Sequence, residues 1–314
     1  MASAELQVLI RAIRYEAEGV LSFELEALGG ARLPDFTPGA HIDVCLPNGL
    51  MRQYSLTNAS NGRHYIIGVG LDRASRGGSR WLHDHARPGQ VLTISAPRNS
   101  FPMAEPLAGA VLFAGGIGIT PIRAMAGHLA AQGVPWTLHY AARSRVSAAF
   151  AADLHTLSGD MRLHLDDEAG ALLDIAAAVA AAPMDAHLYC CGPEPMIAAF
   201  LEATKDRVSD HVHIEHFGAI APQADDGGLV IELARSGRVV EVRPDQTILE
   251  AVMAAGVAVA SSCRNGVCGT CETRVLAGEP DHRDLILSEA EKAAGDTMMI
   301  CCSRAKSPRL TLDL

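Results

Sequence analysis

The chain has 314 residues, of which 49% are hydrophobic and 20% charged, and its formal net charge at pH 7 is −10. This length suits two or three domains, and the composition is that of an ordinary globular protein. The acidic balance argues against nucleic acid as a partner, because sequence-independent binding to it needs a basic surface.

The N-terminal residues and an uncharged apolar stretch bear on targeting. Residues 1–20 have no long apolar core, so we expect no signal peptide. The uncharged stretch from Pro106 to Ile122 is shorter than a membrane span and contains Gly and Pro, so we expect no membrane helix. Eight cysteines in a chain without an export signal indicate a cytoplasmic protein, in which clustered cysteines are more often metal ligands or catalytic groups than disulfides.

Residues 1–105 are predicted to form an all-β domain. Short alternating stretches such as HIDVCLP, HYIIGVG and QVLTISAP are separated by Gly, Pro and Asn. This pattern is typical of a small antiparallel barrel or sandwich.

The stretch RQYSLTN within this domain carries a cation, Arg52, and two hydroxyls, Ser55 and Thr57, around Tyr54. A strand splits alternate side chains between its two faces. One face could therefore hold a phosphate with Arg52 while Tyr54 flanks an aromatic ring.

A second stretch, SRGGSRWLHD, places Gly77, Gly78 and Ser79 before a predicted helical turn. Backbone N–H groups and a hydroxyl in this arrangement favour a phosphate. Each stretch alone is better explained by a plain strand or loop than by a site, but the two together in a small barrel indicate a flavin site.

Residues 106–222 are predicted to form an α/β domain. The apolar strands AVLFAGG, WTLHYAA and HLYCCGP alternate with the helices PIRAMAGHLAAQG and PEPMIAAFLEATK, the first of which should end at Gly133. Strands and helices in this order predict a parallel sheet covered on both faces.

Two strand ends in this domain are candidate nucleotide sites. The first, GGIGITP, contains Gly115, Gly116, Gly118 and Pro121 between a buried strand and a helix, where a pyrophosphate could approach the backbone. The alternative is a tight strand–helix turn without a ligand.

The second strand end, CCGPEPM, contains Cys191, Gly192 and Pro193. Open α/β sheets bind ligands at the carboxyl ends of their strands. Cys191 would be a small, polarizable residue beside a cofactor ring there.

QADDGG is predicted to be a flexible linker to a third domain, residues 228–314. LVIELARSGRVVEVRP predicts a β-hairpin and QTILEAVMAAGV a helix, and a cysteine loop follows them.

Four cysteines in this domain have the spacing of a plant-type [2Fe–2S] ferredoxin. Cys263, Cys268 and Cys271 form a C-x4-C-x2-C run, and Cys301 follows after a gap of 29 residues. Each tetrahedral iron of such a cluster takes two thiolates and two bridging sulfides.

The alternatives for this loop are unrelated core cysteines and a structural zinc site, but a zinc site usually pairs two C-x2-C knuckles, and this region has one. Gly266 and Gly269 favour the cluster, because a loop that wraps it needs a positive φ and close backbone approach.

The order of these motifs, R-x-Y-S, G-G-S, G-G-I-G-I-T-P-I, C-G-P-x-P-M and C-x4-C-x2-C…C, resembles the phthalate dioxygenase reductase family over essentially the whole chain. The resemblance implies a ferredoxin-reductase-like antiparallel barrel that holds FMN, an α/β parallel-sheet domain that binds NADH, and a C-terminal β-grasp ferredoxin domain. The expected electron route runs from NADH through FMN and [2Fe–2S] to the Rieske centre of an oxygenase.

The resemblance also assigns residues. It implies that FMN is held by a set of barrel residues, with the phosphate at the glycine-rich turn: Arg52, Gln53 at the ring edge, Tyr54, Ser55, Gly68, Val69, Gly70, Gly77, Gly78 and Ser79. Thr120 would lie between flavin and nicotinamide, and Phe217 would cap the flavin. One departure is at Gly70 and Leu71, where the family pattern has Lys-Arg.

The family pattern Cys-x-Ser-Arg-Ala aligns Cys301, and not Cys302, with the fourth cluster ligand. The resemblance favours NADH, whereas Arg143 and Arg145 could neutralise the 2′-phosphate of NADPH. We expect a monomer and no acid–base catalyst. Two alternatives remain open: an electron carrier or redox sensor without NAD(P)H oxidoreductase activity, and a reductase for a non-Rieske oxygenase.

Overall fold

The structure is a computed structural model that describes residues 5–72, 77–104, 109–217, 228–244, 246–261, 266, 269–284 and 286–314. The chain divides into two compact units, Met1–Phe217 and Gly218–Leu314. The predicted domain boundaries at residues 105, 106 and 222 lie outside the described ranges. No helix within those ranges is long and apolar enough to cross a bilayer.

The first part of the larger unit is an antiparallel barrel, as predicted. Its sheet has the order β4-β3-β6-β1-β2-β5, and the bridge between Leu56 and Ile67 closes it. Alternating apolar residues such as Phe23, Ile42 and Ile67 point inward and are fully buried. The strands are β1 (Glu5–Ala17), β2 (Val20–Ala27), β3 (His41–Cys45), β4 (Met51–Ser55), β5 (His64–Gly70) and β6 (Val91–Ser95).

A short helix, α1 (Gly78–His85), crosses this barrel between β5 and β6. Gly77 precedes it with a φ of 94°, a left-handed conformation that glycine adopts without steric cost. His83 Nε2 donates a hydrogen bond to the Val69 carbonyl at 2.9 Å, so the helix is tied to β5.

The second part of this unit is a parallel sheet in the order β11-β10-β7-β8-β9. Its central strands are apolar on both faces because helices cover both sides. The elements are β7 (Ala110–Gly115), α2 (Ile119–Gln132), β8 (Trp136–Ala142), α3 (Ala151–His155), β9 (Asp160–Leu165), α4 (Asp166–Ala169), α5 (Ile175–Ala180), β10 (His187–Gly192), α6 (Glu194–Thr204) and β11 (Val212–His216). Gly133 ends α2 at a φ of 69°, as predicted.

The smaller unit is a mixed sheet in the order β13-β12-β18-β14-β16, with a separate pair β15-β17. The predicted hairpin is present, and Thr247 caps the helix that follows it by accepting a hydrogen bond from the Glu250 N–H. The elements are β12 (Leu229–Leu233), β13 (Arg238–Val242), α7 (Ile248–Ala254), β14 (Glu272–Ala277), β15 (Pro280–Asp281), α8 (Glu289–Ala294), β16 (Thr297–Met299), β17 (Arg304–Ala305) and β18 (Arg309–Leu312).

Candidate cofactor sites

The structure places Arg52 of β4 against the first turn of α1. A Cβ on Gly78 would lie 2.6 Å from Arg52 Cγ and 2.7 Å from Arg52 Nε, so the arginine side chain crosses this glycine. The Ser79 hydroxyl lies in the same turn and accepts a hydrogen bond from the Asp72 N–H at 3.3 Å. The N–H groups of a helix's first turn have no acceptor inside the helix. A guanidinium, a hydroxyl and these N–H groups make a donor set that fits a phosphate.

The predicted flavin contacts of β4 lie on two faces of the strand. Tyr54 shares a face with Arg52, and burial raises the pKa of its hydroxyl to about 12. Gln53 and the buried Ser55 face the other way, with Gln53 across from Asp43. Gln53 Nε2 is buried and has no hydrogen-bond partner in the described part of the chain. The structure thus brings Tyr54, but not the Gln53 side chain, together with the phosphate cradle.

Gly68 and Gly70 of β5 lie where the α/β segment presses on the barrel. A Cβ on Gly68 would be 2.6 Å from Thr120 Cγ2 and 3.2 Å from the Phe150 ring, and one on Gly70 would be 3.3 Å from Ile117 Cγ1. Thr120 is buried, and its hydroxyl donates to the Ile117 carbonyl at 3.0 Å. The two glycines therefore allow the start of α2 to approach the barrel, and Thr120 lies at this junction.

Arg123 ties the same junction together one turn further along α2. Its Nη1 donates to the Thr57 carbonyl of the barrel at 2.8 Å, and its Nη2 pairs with Asp153 at 3.0 Å. Its Cζ lies 5.0 Å from the centre of the Phe150 ring. Phe150 has a φ of 60°, and it is the one non-glycine residue in the described ranges with a positive φ. Neither residue was identified from the sequence, because their partners are far away in the chain.

The glycine loop after β7 and the CGP motif after β10 lie side by side at the carboxyl edge of the sheet. A Cβ on Gly115 would be 2.6 Å from Pro193 Cδ, and one on Gly118 would clash with the Cys191 carbonyl. A Cβ on Gly192 would likewise lie 2.6 Å from Sδ of Met196 in α6. These three glycines therefore serve the close packing of two strand ends.

Gly116 differs from its neighbours in the loop. Its φ is 54°, and a Cβ there would meet no atom of the described residues within 4 Å. It is exposed at the point where α2 begins, and Pro121 is buried in the first turn of that helix. Space in front of a helix N-terminus fits the predicted pyrophosphate.

Cys191 is fully buried, and burial raises the pKa of its thiol well above its usual value. It is therefore a neutral thiol and not a nucleophile. Its neighbour on β11 is Glu215, whose buried Oε2 has no hydrogen-bond partner in the described ranges. Burial raises the pKa of this carboxyl to about 8, so it is protonated at neutral pH. Phe217, two residues further, is 41% exposed at the same edge.

Arg145 follows β8, where the sequence left open a contact to a 2′-phosphate. Its Nη2 instead pairs with Glu168 at 3.0 Å. Glu168 belongs to α4, the acidic segment Asp166–Ala169 that follows β9 at the same edge. A carboxylate at this position would repel the 2′-phosphate, which NADPH carries and NADH lacks. This charge agrees with the use of NADH.

In the smaller unit, Cys271 and Cys301 are both about 2–3% exposed and belong to one apolar core. Cys263 and Cys268, the other two predicted ligands, lie outside the described residues. Gly266 and Gly269 have φ values of 70° and 73°, so the predicted left-handed turns of the loop are confirmed. Thiolates on such a loop fit an iron–sulfur cluster.

Cys302, the neighbour of the predicted fourth ligand, is as buried as Cys301. Its Sγ lies 3.6 Å from the Met299 carbonyl, to which it donates, and 3.8 Å from the Ser303 hydroxyl. The choice between Cys301 and Cys302 therefore stays a prediction that rests on the family pattern Cys-x-Ser-Arg-Ala.

Comparison with known proteins extends over nearly the whole chain. Residues 231–306 match the family model of the 2Fe-2S iron-sulfur cluster binding domain. The chain is 51% identical over 312 residues to phenoxybenzoate dioxygenase subunit beta of Ectopseudomonas oleovorans, with 99% of this chain and 98% of that protein covered. It is 48% identical over 317 residues to tetrachlorobenzoquinone reductase of Sphingobium chlorophenolicum, with 98% of each covered.

The structure of phthalate dioxygenase reductase, described as modular and as transferring electrons from pyridine nucleotides to [2Fe–2S], superimposes with a TM-score of 0.85 at 38% identity. The alignment covers 99% of this chain and 98% of that one. The barrel, the parallel sheet and the C-terminal iron–sulfur domain are thereby confirmed. The chain is a member of the phthalate dioxygenase reductase family, the NADH-dependent FMN and [2Fe–2S] reductases that supply electrons to oxygenases.

Proposed function

We propose that this reductase works as a monomer of three domains, 1–105, 106–222 and 228–314, and delivers electrons to the Rieske centre of a terminal oxygenase. The observation that carries this proposal is the match to phthalate dioxygenase reductase along both chains, including the iron–sulfur domain. A Rieske centre is a suitable acceptor, because its histidine ligands raise its reduction potential above that of a plant-type cluster.

FMN would lie between the barrel and the α/β segment. Arg52 and the turn Gly77-Gly78-Ser79 would hold its phosphate, since they supply a cation, a hydroxyl and helix N–H groups in one place. Tyr54 would border the ring from the face of β4 that carries Arg52, and Gly68-Val69-Gly70 would border it on β5. Bound flavin accepts a hydride and passes electrons on singly, which links a two-electron donor to a one-electron cluster.

NADH would enter at the carboxyl edge of the parallel sheet. Gly116 and the first turn of α2 would face its pyrophosphate, while Gly115, Gly118 and Gly192 keep the two strand ends close together. Thr120, held between β5 and α2, would separate the two rings, and Phe217 would cover the flavin until the nicotinamide arrives.

Cys191, Pro193 and Glu215 would line the nicotinamide pocket. The thiol and the carboxyl are both neutral at pH 7, so neither would repel a ring that carries changing charge. No proton has to be abstracted from NADH in hydride transfer, so these residues would position and desolvate the ring.

The cluster would be held by Cys263, Cys268, Cys271 and Cys301. A matched pair of variants tests the fourth ligand. Cys301→Ala should lose the cluster absorbance and the transfer of electrons to an oxygenase, while NADH-dependent reduction of ferricyanide by the flavin persists. Cys302→Ala should keep both. The reverse pattern would show that Cys302 is the ligand.

The acceptor itself is tested by mixing the reduced protein with a purified Rieske oxygenase under anaerobic conditions. Appearance of the reduced Rieske signal in electron paramagnetic resonance (EPR), with loss of that signal in Cys301→Ala, is the expected result. A Rieske centre that stays oxidised while a haem oxygenase is reduced would contradict the proposal.

A quinone is a second candidate acceptor, because a relative at 48% identity is a tetrachlorobenzoquinone reductase. A quinone can take electrons directly from reduced flavin. Quinone reduction that is fast in Cys301→Ala, together with slow transfer to every Rieske oxygenase tried, would favour this candidate.

A further inference from the structure

His282 lies in the part of the smaller unit that follows β15. Asp281 of β15 pairs with Arg304 of β17, and the Arg283 N–H donates to the Ser303 hydroxyl at 3.1 Å. This register places His282 beside the segment that follows the fourth candidate ligand, Cys301. The His282 side chain is only 8% exposed.

Neither ring nitrogen of His282 has a hydrogen-bond partner in the described ranges. The nearest carboxylate oxygen, Asp284 Oδ1, is 3.7 Å away, which is too long for a hydrogen bond. That carboxylate is fully buried and already accepts from the N–H groups of Ile286 and Leu287 and from the Ser303 hydroxyl. A buried polar group without a partner is costly, so native proteins rarely leave one unsatisfied.

The same region packs directly on the cysteine loop. A Cβ on Gly266 would lie 3.1 Å from Asp284 Cα and 2.5 Å from Cys302 Sγ. Asp284 and Cys302 therefore lie directly against the loop, and the buried His282 ring lies 3.7 Å from the Asp284 carboxylate. The group that this loop is suited to hold is rich in sulfur acceptors, and hydrogen bonds to those sulfurs tune its reduction potential.

We propose that His282 is an outer hydrogen-bond donor of the iron–sulfur centre, with a ring N–H directed to a sulfur of the cluster or of one of its cysteine ligands. This inference rests on the proposed cluster site. A donor stabilises the more negative, reduced form, so His282 raises the reduction potential of the cluster. It acts through the sulfur and is a positioning residue, not a ligand.

The chain offers a direct spectroscopic test, because His282 is the one histidine between residues 228 and 314. Holoprotein is prepared with ¹⁵N-histidine, the cluster is reduced with dithionite, and pulsed EPR of the cluster signal is recorded. We expect a ¹⁵N coupling in the wild-type protein and its loss in His282→Gln prepared in the same way. A cluster signal without ¹⁵N coupling, or a coupling that persists in His282→Gln, overturns the inference.

A potentiometric titration of the cluster signal gives a second readout. His282→Leu should shift the midpoint potential to a lower value, and His282→Gln, which keeps an N–H donor, should shift it less. Equal potentials in all three proteins would also refute the role. If the variants fail to assemble, the labelled wild-type protein still decides. A wild-type protein without any cluster signal would instead contradict the proposed function.

Discussion

Gly68→Ala tests whether the contact between β5 and α2 sets the geometry of hydride transfer. The new methyl carbon would lie 2.6 Å from Thr120 Cγ2, whereas carbon atoms in ordinary contact are about 3.5 Å apart. The two elements must therefore separate by about 0.9 Å. The Phe150 ring, 3.2 Å from the new carbon, blocks a sideways escape.

A displacement on the order of 1 Å at a reacting centre can cost on the order of 100-fold in rate. We therefore expect flavin reduction by excess NADH, followed by stopped-flow absorbance, to slow about 10- to 100-fold in Gly68→Ala. FMN should still bind through its phosphate, because Arg52 and the phosphate cradle are on other elements, and the FMN content of the variant is measured beside the rate.

Two variants control this experiment. Gly127→Ala adds a methyl to α2 at a position where a Cβ meets nothing within 4 Å, so it should reduce flavin at the wild-type rate. Adding Thr120→Ser to Gly68→Ala removes Cγ2 but keeps the hydroxyl that binds the Ile117 carbonyl, so part of the rate should return. A wild-type rate in Gly68→Ala, or a double variant no faster than the single one, would refute the reasoning.

Three further predictions concern other parts of the chain. The pKa of Glu215 is about 8 in the folded protein and about 4.5 when unfolded. The unfolded chain therefore loses this proton first, and the free energy of unfolding falls as the pH rises from about 4.5 to about 8. Glu215→Gln should accordingly gain resistance to urea at about pH 8.5 but not at about pH 4.5, and an equal gain at both would contradict this linkage. Glu168→Gln frees Arg145, so kcat/KM for NADPH relative to NADH should rise about two- to fivefold, and an unchanged ratio would show that the ion pair plays no part in selectivity. Gly266→Ala should lose most of the cluster absorbance, because its Cβ would lie 2.5 Å from Cys302 Sγ. Gly269→Ala has a similar φ, and its Cβ would meet nothing within 4 Å among the described residues, so it should keep the absorbance. Equal losses in the two variants would assign the effect to backbone strain alone.

Local patterns in the sequence were sufficient to predict the architecture. The alternating barrel strands, the apolar strands of the parallel sheet and the end of α2 at Gly133 all follow from periodicity and from glycine chemistry. The positive φ values of Gly266 and Gly269 were predicted from the needs of a cysteine loop. These features depend on residues that are close together in the chain, so they can be predicted from one amino-acid sequence.

Contacts between distant segments could not be predicted in this way. The sequence places Gly115 and Gly118 in a candidate nucleotide loop or a tight turn, but it does not reveal that both are pressed against the end of β10, more than 70 residues further along. The strand geometry of β4 also separates the side chain of Gln53 from that of Arg52, although the two are adjacent in sequence.

Arg123 and His282 escaped notice for a related reason. An isolated arginine or histidine carries no spacing signal, and only packing shows that Arg123 bridges to the Thr57 carbonyl and that the His282 ring is buried without a partner. Glu215 likewise acquires its raised pKa from burial, which composition does not disclose.

Anaerobic mixing with NADH, followed by absorbance and by freeze-quench EPR, tests the central claim most directly. The flavin should bleach first, and the cluster signal should then appear at a rate that does not depend on NADH concentration, because the electrons pass within one chain. In Cys301→Ala the flavin should bleach at the wild-type rate without any cluster signal. Bleaching of the flavin while the wild-type cluster stays oxidised, or reduction of the cluster before the flavin, would contradict the route from NADH through FMN to [2Fe–2S].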